Sequence, residues 1–268
     1  MDARYNQLKA VIFDWAGTIV DFGSRAPMKT FVEVFARHEI EISIAEARQP
    51  MGLPKLDHIR ALGRLPRIAA EWERAYGRPF TEEDAHVLLN EFVPANMAVA
   101  AQYASLIPGA LEAVADARAR GLKIGSTTGY TRDIMSIVAS EAAARGYQPD
   151  CLVCAGDLAA GRPTPLMIYK CFVDLEVFPA VSCVKVDDTV PGIAEGLAAG
   201  CWTIGVAVSG NEFGLSEEEI ASLPRSEFEL RRAEATTALK QAGAHFVIDT
   251  VADLPSVLDR IEADMAAA

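Results

Sequence analysis

Six short apolar runs punctuate the chain, at Ala10 to Phe13, Lys123 to Thr127, Cys151 to Cys154, Cys183 to Val186, Thr203 to Val206 and His245 to Ile248. Turn signals bound them, and stretches of helical period lie between the later ones. Leu111, Val114, Ala115 and Arg118 follow Pro108-Gly109 and end at Gly121, and Thr131 to Arg145 ends at Gly146. Runs too short for helices that alternate with helical segments predict a parallel sheet wrapped by helices on both faces. In such a sheet the ligand crevice lies outside the carboxyl ends of the strands, so the residues just past each run are the ones to inspect.

One section breaks the alternation. From Ser24 to Tyr103 only helical patterns occur: Pro27 opens a helix with Met28, Phe31, Val32 and Phe35 on one face, Ser43-Ile44-Ala45-Glu46 reads as a capping box, and Thr81 precedes Ala85, Leu88, Leu89 and Phe92. An insert that leaves and re-enters at the edge of the first strand should sit above the crevice as a cap. The expected organisation is therefore a Rossmann-like core from residues 1–23 and 104–268, with an all-helical cap domain from residues 24–103.

Composition narrows the function. With 51% apolar residues in 268, the chain can bury a substantial core, and a net charge of −12 offers no basic surface to a nucleic-acid backbone. No apolar segment approaches the roughly 18 residues of a membrane span. The start, Met1 to Gln7, shows no basic stretch followed by an apolar one, so a cytoplasmic location is expected. Five cysteines, an odd number, lie in strand-like or helix-like runs; Cys151-Leu152-Val153-Cys154 has no partner pair at zinc spacing and reads as buried reduced thiols.

The strand ends collect chemistry. Asp14 follows the first run, with Gly17-Thr18 in a turn whose N–H groups could approach an anion; Thr128 ends the second, Arg162 lies in the loop after the third, and Asp187-Asp188-Thr189 ends the fourth. Carboxylates, a hydroxyl and a guanidinium along one sheet edge outline a metal-assisted phosphoryl-transfer site. A lone aspartate after a strand is usually a turn or cap residue; the company of the other strand ends argues otherwise for Asp14.

The order D-x-x-G-T, then T-T-G, then a basic residue, then D-D resembles the haloacid dehalogenase superfamily over the whole chain. In its phosphatases the first motif is D-x-D, a nucleophile followed by a general acid and base, and here Ala16 replaces the second aspartate. Alanine cannot protonate a leaving oxygen, which counts against a generic phosphatase. The substitution makes sense if the leaving group is carbon and a lysine supplies an electron sink by forming a Schiff base with an adjacent aldehyde. Lys55, in Pro50-Met51-Gly52-Leu53-Pro54-Lys55-Leu56-Asp57-His58, is the candidate, with His58 on the same helical face. Taken with Gly125-Ser126-Thr127-Thr128-Gly129-Tyr130, these motifs resemble the phosphonatase branch of the superfamily.

That resemblance implies hydrolysis of the C–P bond of phosphonoacetaldehyde, with Lys55 as Schiff base and Asp14 as nucleophile. It implies Mg²⁺ held by Asp14, the Ala16 carbonyl and Asp188, and phosphonyl oxygens bound by Thr128 and Arg162. Gly129, Met51, His58 and Tyr130 would complete the substrate site, and the cap would join a homodimer, to which Phe31 and Phe35 could contribute an apolar stripe. Where some relatives carry G-D-x-x-x-D, this chain has Asp187-Asp188 and then Gly192, so Asp187 could replace the missing second acid and the choice of inner ligand between Asp187 and Asp188 stays open. The alternatives are another phosphatase, phosphomutase or dehalogenase of the superfamily, none of which needs Lys55, or a silent protein that only binds a phosphorylated ligand.

Overall fold

The computed structural model describes residues 7–267, so the stretch read above for a leader lies, Gln7 apart, outside it. In chain order the elements are β1 (Ala10–Phe13), α1 (Ala26–Arg37), α2 (Ile44–Arg48), α3 (Lys55–Arg64), α4 (Pro66–Tyr76), α5 (Glu82–Ala100), α6 (Ala110–Ala119), β2 (Lys123–Thr131), α7 (Arg132–Ala144), β3 (Val153–Ala155), α8 (Leu166–Leu175), β4 (Cys183–Asp187), α9 (Val190–Ala199), β5 (Trp202–Val206), α10 (Glu217–Ala221), α11 (Arg225–Gln241), β6 (Phe246–Ile248) and α12 (Leu254–Ala267). The six strands form one parallel sheet in the order β3-β2-β1-β4-β5-β6. Every residue of β1 and β4 is buried, as the apolar run of β1 and the apolar Cys183, Val184 and Val186 of β4 require of strands covered on both faces.

The topology sets the site. After β1 the sheet grows one way through β2 and the other through β4, so the two sets of connections part above the ends of these strands and leave a crevice there. Phe13 stands opposite Ser126 of β2 and Val186 of β4. The next residues, Asp14, Thr127 and Asp187, therefore reach the same edge together.

Helices α1 to α5 fall between β1 and β2, as the helical patterns anticipate. The Ser43 and Thr81 hydroxyls accept the N–H groups of Glu46 and Asp84, whose carboxylates reach back in two capping boxes. Phe31 stacks on Phe92 at 4.3 Å between ring centroids, and both Phe31 and Phe35 are fully buried in the chain's own insert. They offer no exposed stripe to a second subunit.

Two local readings are corrected. On α6 the buried face is Ala110, Ala113, Val114 and Ala117, while Leu111 points outward; the small alanines let this helix lie close against β2 and α12. Strand β2 runs four residues past its expected end at Thr127, because the β-branched Thr128 and Thr131 extend it beyond a register shift against β3. All five cysteines are free, four of them buried. Among the described residues no helix is long and apolar enough to cross a membrane.

Candidate active site

A small pocket sits over the ends of β1 and β2 and under the loop that leads into α3. Asp14, Ala16, Met51, Lys55, Thr128, Gly129, Tyr130 and Arg162 line it, with Ser24, Pro27, Gly52 and Thr189. The insert can press this close because glycines stand at the seam: a Cβ on Gly129 would lie 2.8 Å from the Leu53 carbonyl oxygen, and one on Gly52 would lie 2.2 Å from Thr189 Oγ1. His58 and Asp188 are buried just behind the cavity wall. Eight of the residues singled out in the sequence thus share one lining.

Four carboxylates lie buried at its floor: Asp14, Asp187, Asp188 and Glu195. Arg162 Nη2 approaches Asp14 at 2.7 Å and Asp187 at 3.2 Å, and its Nε donates to Glu195 at 3.0 Å. Lys185 Nζ lies 3.0 Å from Asp187 and 3.3 Å from Glu195, and donates to Thr127 Oγ1 at 2.7 Å. Asp188 has gentler company, accepting the Asn211 N–H at 2.8 Å and the Thr18 hydroxyl at 3.4 Å. Burial, then repulsion from Asp187, lifts the Asp14 carboxyl to about 6 against the pull of Arg162. Burial and the charges of Asp14 and Asp187 also hold the Asp188 carboxyl well above its ordinary value. Asp187 is held below the usual carboxylate range because Arg162 and Lys185 outweigh its burial.

This donor set fits a divalent cation. Oxygens of Asp14, Asp187 and Asp188 come within 4.8 Å of one another. Fully ionised, these four carboxylates would outnumber the charges of Arg162 and Lys185 by two. The two acids with raised pKa, Asp14 and Asp188, are the pair a cation would relieve; Asp187 is committed to Arg162 and Lys185. The turn glycine serves this pair in an unforeseen way. Gly17 and Thr18 spend their N–H groups on Val20, Asp21 and Trp15 carbonyls rather than on an anion, and Gly17 adopts φ +83° where a Cβ would fall 2.1 Å from Asp188 Oδ2.

Lys55 begins α3 and is 4% exposed. Its Nζ lies 4.8 Å from the Tyr130 ring centroid and 5.7 Å from that of Phe31. Burial, opposed by Asp14 and seconded by Arg162, lowers its pKa to about 8. One turn on, the His58 ring stacks on Phe31 at 4.0 Å and its Nε2 meets the Ala47 carbonyl oxygen at 2.8 Å. That contact makes Nε2 the protonated nitrogen, and Nδ1 is a buried acceptor without a partner among the described residues. Burial and the neighbouring Lys55 keep the ring neutral.

The profile of the haloacid dehalogenase-like hydrolases matches residues 8–200. A phosphonoacetaldehyde hydrolase of Paraburkholderia phytofirmans is 52% identical over 259 residues, 97% of each chain. The one from Bacillus cereus is 46% identical over 256 residues, covering 96% of this chain and 97% of its own. The chain belongs to the phosphonatase branch of the haloacid dehalogenase-like hydrolases. A crystal structure of a phosphonoacetaldehyde hydrolase-like protein from Oleispira antarctica superimposes with a TM-score of 0.96 at 44% identity, over 97% of this chain and 95% of that one. A β-phosphoglucomutase from Clostridium difficile, 16% identical with a TM-score of 0.68 over 98% and 100% of the two chains, shares the fold.

Against this hydrolase framework the sequence reading missed the second layer of the site. Thr127, Lys185 and Glu195 carry the buried network that holds Arg162 and Asp187; Lys185 and Glu195 stand in no motif, and Thr127 stands in T-T-G with no role read for it beside Thr128. Lys185 alone left a trace, as a charge inside the apolar run of β4, where a side chain buried on both faces must find partners.

Proposed function

We propose that the chain hydrolyses the C–P bond of phosphonoacetaldehyde to acetaldehyde and phosphate, through a Lys55 Schiff base and an aspartyl phosphate on Asp14. One observation carries the reading: a buried lysine with a depressed pKa and a buried carboxylate line one small cavity in which alanine stands where an oxygen leaving group would need its acid. The names of the relatives support the substrate.

Neutral Lys55 adds to the aldehyde and expels water to give an iminium, which sits against the Tyr130 and Phe31 rings. Asp14 then attacks phosphorus, and the C–P electron pair moves into the iminium to form an enamine. Water hydrolyses the aspartyl phosphate; the enamine takes a proton at carbon, and a second water releases acetaldehyde and regenerates Lys55. One water is produced and two consumed, which balances the net hydrolysis. His58, kept neutral by burial and by the neighbouring Lys55, adds no second positive charge beside the iminium. The Tyr130 hydroxyl is held protonated by burial, so at neutral pH it can give a hydrogen bond but cannot act as a base. Arg162 makes its bonds to Asp14, Glu195 and Thr127 through Nε and Nη2, so among the described residues Nη1 is available to a phosphonyl oxygen beside the Thr128 hydroxyl. Mg²⁺ on Asp14, Asp188 and the Ala16 carbonyl would supply positive charge against the dianionic phosphonate.

In this reading residues 24–103 act as a cap over the core of residues 1–23 and 104–268, and Met51 and Gly129 shape the pocket around the reacting carbon. A cytoplasmic homodimer joined through the cap rests on family likeness, and the five free thiols suit a reducing compartment. The test is release of acetaldehyde and phosphate from phosphonoacetaldehyde with Mg²⁺, with and without borohydride. Equal amounts of both products, and inactivation that maps to Lys55, are expected. A Lys55→Arg variant that turns over like wild type would remove the Schiff base from the mechanism.

A further inference from the structure

Asp21 is a buried carboxylate that the proposed reaction leaves unused. It lies in the turn between β1 and α1 with φ +56°, a left-handed conformation that aspartate tolerates better than most side chains. The Ser24 N–H closes the turn on the Asp21 carbonyl at 2.8 Å, and the carboxylate Oδ2 accepts the Ala26 N–H at 2.9 Å where α1 begins. Its Oδ1 is buried without a hydrogen-bond partner among the described residues. Holding the start of α1 needs one oxygen, and leaving the other dry and unbonded is costly.

The surroundings give that oxygen a use. Asp21 shares a small cavity with Ala16, Ala26 and Tyr130, and Ala16 and Tyr130 also line the active-site pocket, so these two side chains form the wall between the spaces. On the pocket side, Lys55 Nζ lies 4.8 Å from the Tyr130 ring centroid. Burial lifts the Asp21 carboxyl to about 6, which leaves it ionised at neutral pH. After burial itself, the Asp21 charge does most to hold the Tyr130 hydroxyl protonated, ahead of Asp14 and Asp188. The same three charges oppose the loss of the Lys55 proton.

A Schiff base draws the C–P electron pair only while its nitrogen carries a proton, and the burial that neutralises the Lys55 amine also works against that proton. The other charges near Lys55 are already engaged. Asp14 and Asp188 are the pair read above as ligands of a divalent cation, Arg162 is divided among Asp14, Asp187 and Glu195, and His58 is neutral. Arg25 and Arg48 also face Asp21, but Arg48 gives its hydrogen bonds to the Gly23, Ser24, Asn211 and Gly214 carbonyls and the Asn211 side chain. We propose that Asp21 is a positioning residue, the counter-charge that keeps the Lys55 Schiff base protonated inside the closed site. Acting from behind the Tyr130 wall, it steadies a cation at Nζ and still lets the free amine lose its proton. The proposal rests on the reading of Lys55 as the Schiff-base lysine.

The test is reductive ethylation of Lys55 by acetaldehyde and cyanoborohydride, which requires no C–P cleavage. Lys55 and acetaldehyde give the iminium and one water; hydride from cyanoborohydride reduces the C=N bond, and peptide mass spectrometry counts the ethylated Lys55. The iminium forms from the ammonium without a change in bound protons, so labelling stays level with pH until Lys55 deprotonates and then falls. In wild-type protein the fall should centre at about 8. Asp21→Asn keeps an acceptor for the Ala26 N–H and tolerates the left-handed backbone, but removes the charge. Its fall should centre about one pH unit lower, the effect of losing one nearby opposite charge, and the alkaline limb of kcat for phosphate release should move the same way. A merely structural role predicts the opposite sign, because loosening α1 would expose Lys55 and carry the fall towards the ordinary 10.5. A profile that stays in place or moves to higher pH would overturn the proposal. Asp21→Ser, uncharged but still an acceptor, gives the same comparison if the asparagine variant does not fold, and Asp21→Glu should keep the wild-type profile. If borohydride traps no imine from phosphonoacetaldehyde in wild-type protein while acetaldehyde labels Lys55 with the expected profiles, the proposed reaction fails and the counter-charge stands.

Discussion

Lys55 is placed where it lowers the stability of the fold. Its pKa of about 8 against an ordinary 10.5 means that burial disfavours the ammonium. The difference corresponds to about 3 kcal/mol at neutral pH, at 1.36 kcal/mol per unit. Two aromatic rings within 6 Å return about 1 kcal/mol by attraction to the cation. Lys55→Met keeps the length of the side chain and removes the charge, so it should abolish C–P cleavage and raise stability by about 2 kcal/mol, with a thermal midpoint about 4–8 °C higher for a chain of this size. The sign follows from proton counting. Between about 8 and 10.5 the unfolded chain holds the Lys55 proton and the folded one does not, so wild-type stability rises with pH through that window while the variant gains nothing there. Urea unfolding followed by tryptophan fluorescence at pH 7, 8 and 9.5 measures both chains. The gap should be widest at pH 7 and close as pH rises. A variant less stable than wild type at pH 7, or a gap that does not change with pH, would refute the argument that Lys55 is forced towards its neutral form.

Other changes test the rest of the site. Ala16→Asp puts a carboxylate beside Asp14 and the substrate; two like charges about 4 Å apart at an effective dielectric near 20 repel by about 4 kcal/mol, so kcat/KM should fall at least 100-fold, and unchanged kinetics would mean that the alanine carries no message. Gly17→Ala forces a Cβ onto Asp188 and should weaken Mg²⁺ binding about 10- to 100-fold with loss of stability, which calorimetry and melting would record together. Because Asp14 and Asp188 must both shed their protons to hold the cation, and Asp14 titrates at about 6 without it while burial holds Asp188 well above its ordinary value, Mg²⁺ affinity should rise with pH through 6 and go on rising until Asp188 is ionised. A flat profile between pH 5 and 7 would mean that Asp14 is not a ligand.

The sequence displayed the strands, the helical insert and the cavity lining because each is written in local terms. Asp14, Thr128 and Asp188 follow apolar runs, and Lys55 follows a glycine turn at a helix start, so strand ends and helix starts are enough to find them. The partners of these groups are not local. Thr127, beside Thr128 in the same T-T-G, sends its hydroxyl to Glu195 and Lys185, and only the parallel pairing of β1 with both β2 and β4 brings these residues within reach. Gly17 was legible as a turn residue, but its reason, the close approach of Asp188 from just past the end of β4, belongs to the packing.

The buried network also explains why the exposed chemistry is poised as it is. Arg162 and Lys185 could each neutralise a single carboxylate, and if both served Asp14 and Asp188 the site would have no need of a divalent cation. Instead Glu195 and Asp187 occupy them: Lys185 touches only these two acids, and Arg162 touches them as well as Asp14. Asp188 is left without a cationic partner among the described residues, and Asp14 with half of one. The repulsion between these two acids is the force that favours a divalent ion. Burial under the same insert that closes the cavity over them also depresses Lys55. The proposed nucleophile, cation site and Schiff-base amine thus depend on one structural feature, the close seating of the α3 loop on Gly129 and Thr189. Any variant that lifts this loop should weaken all three together.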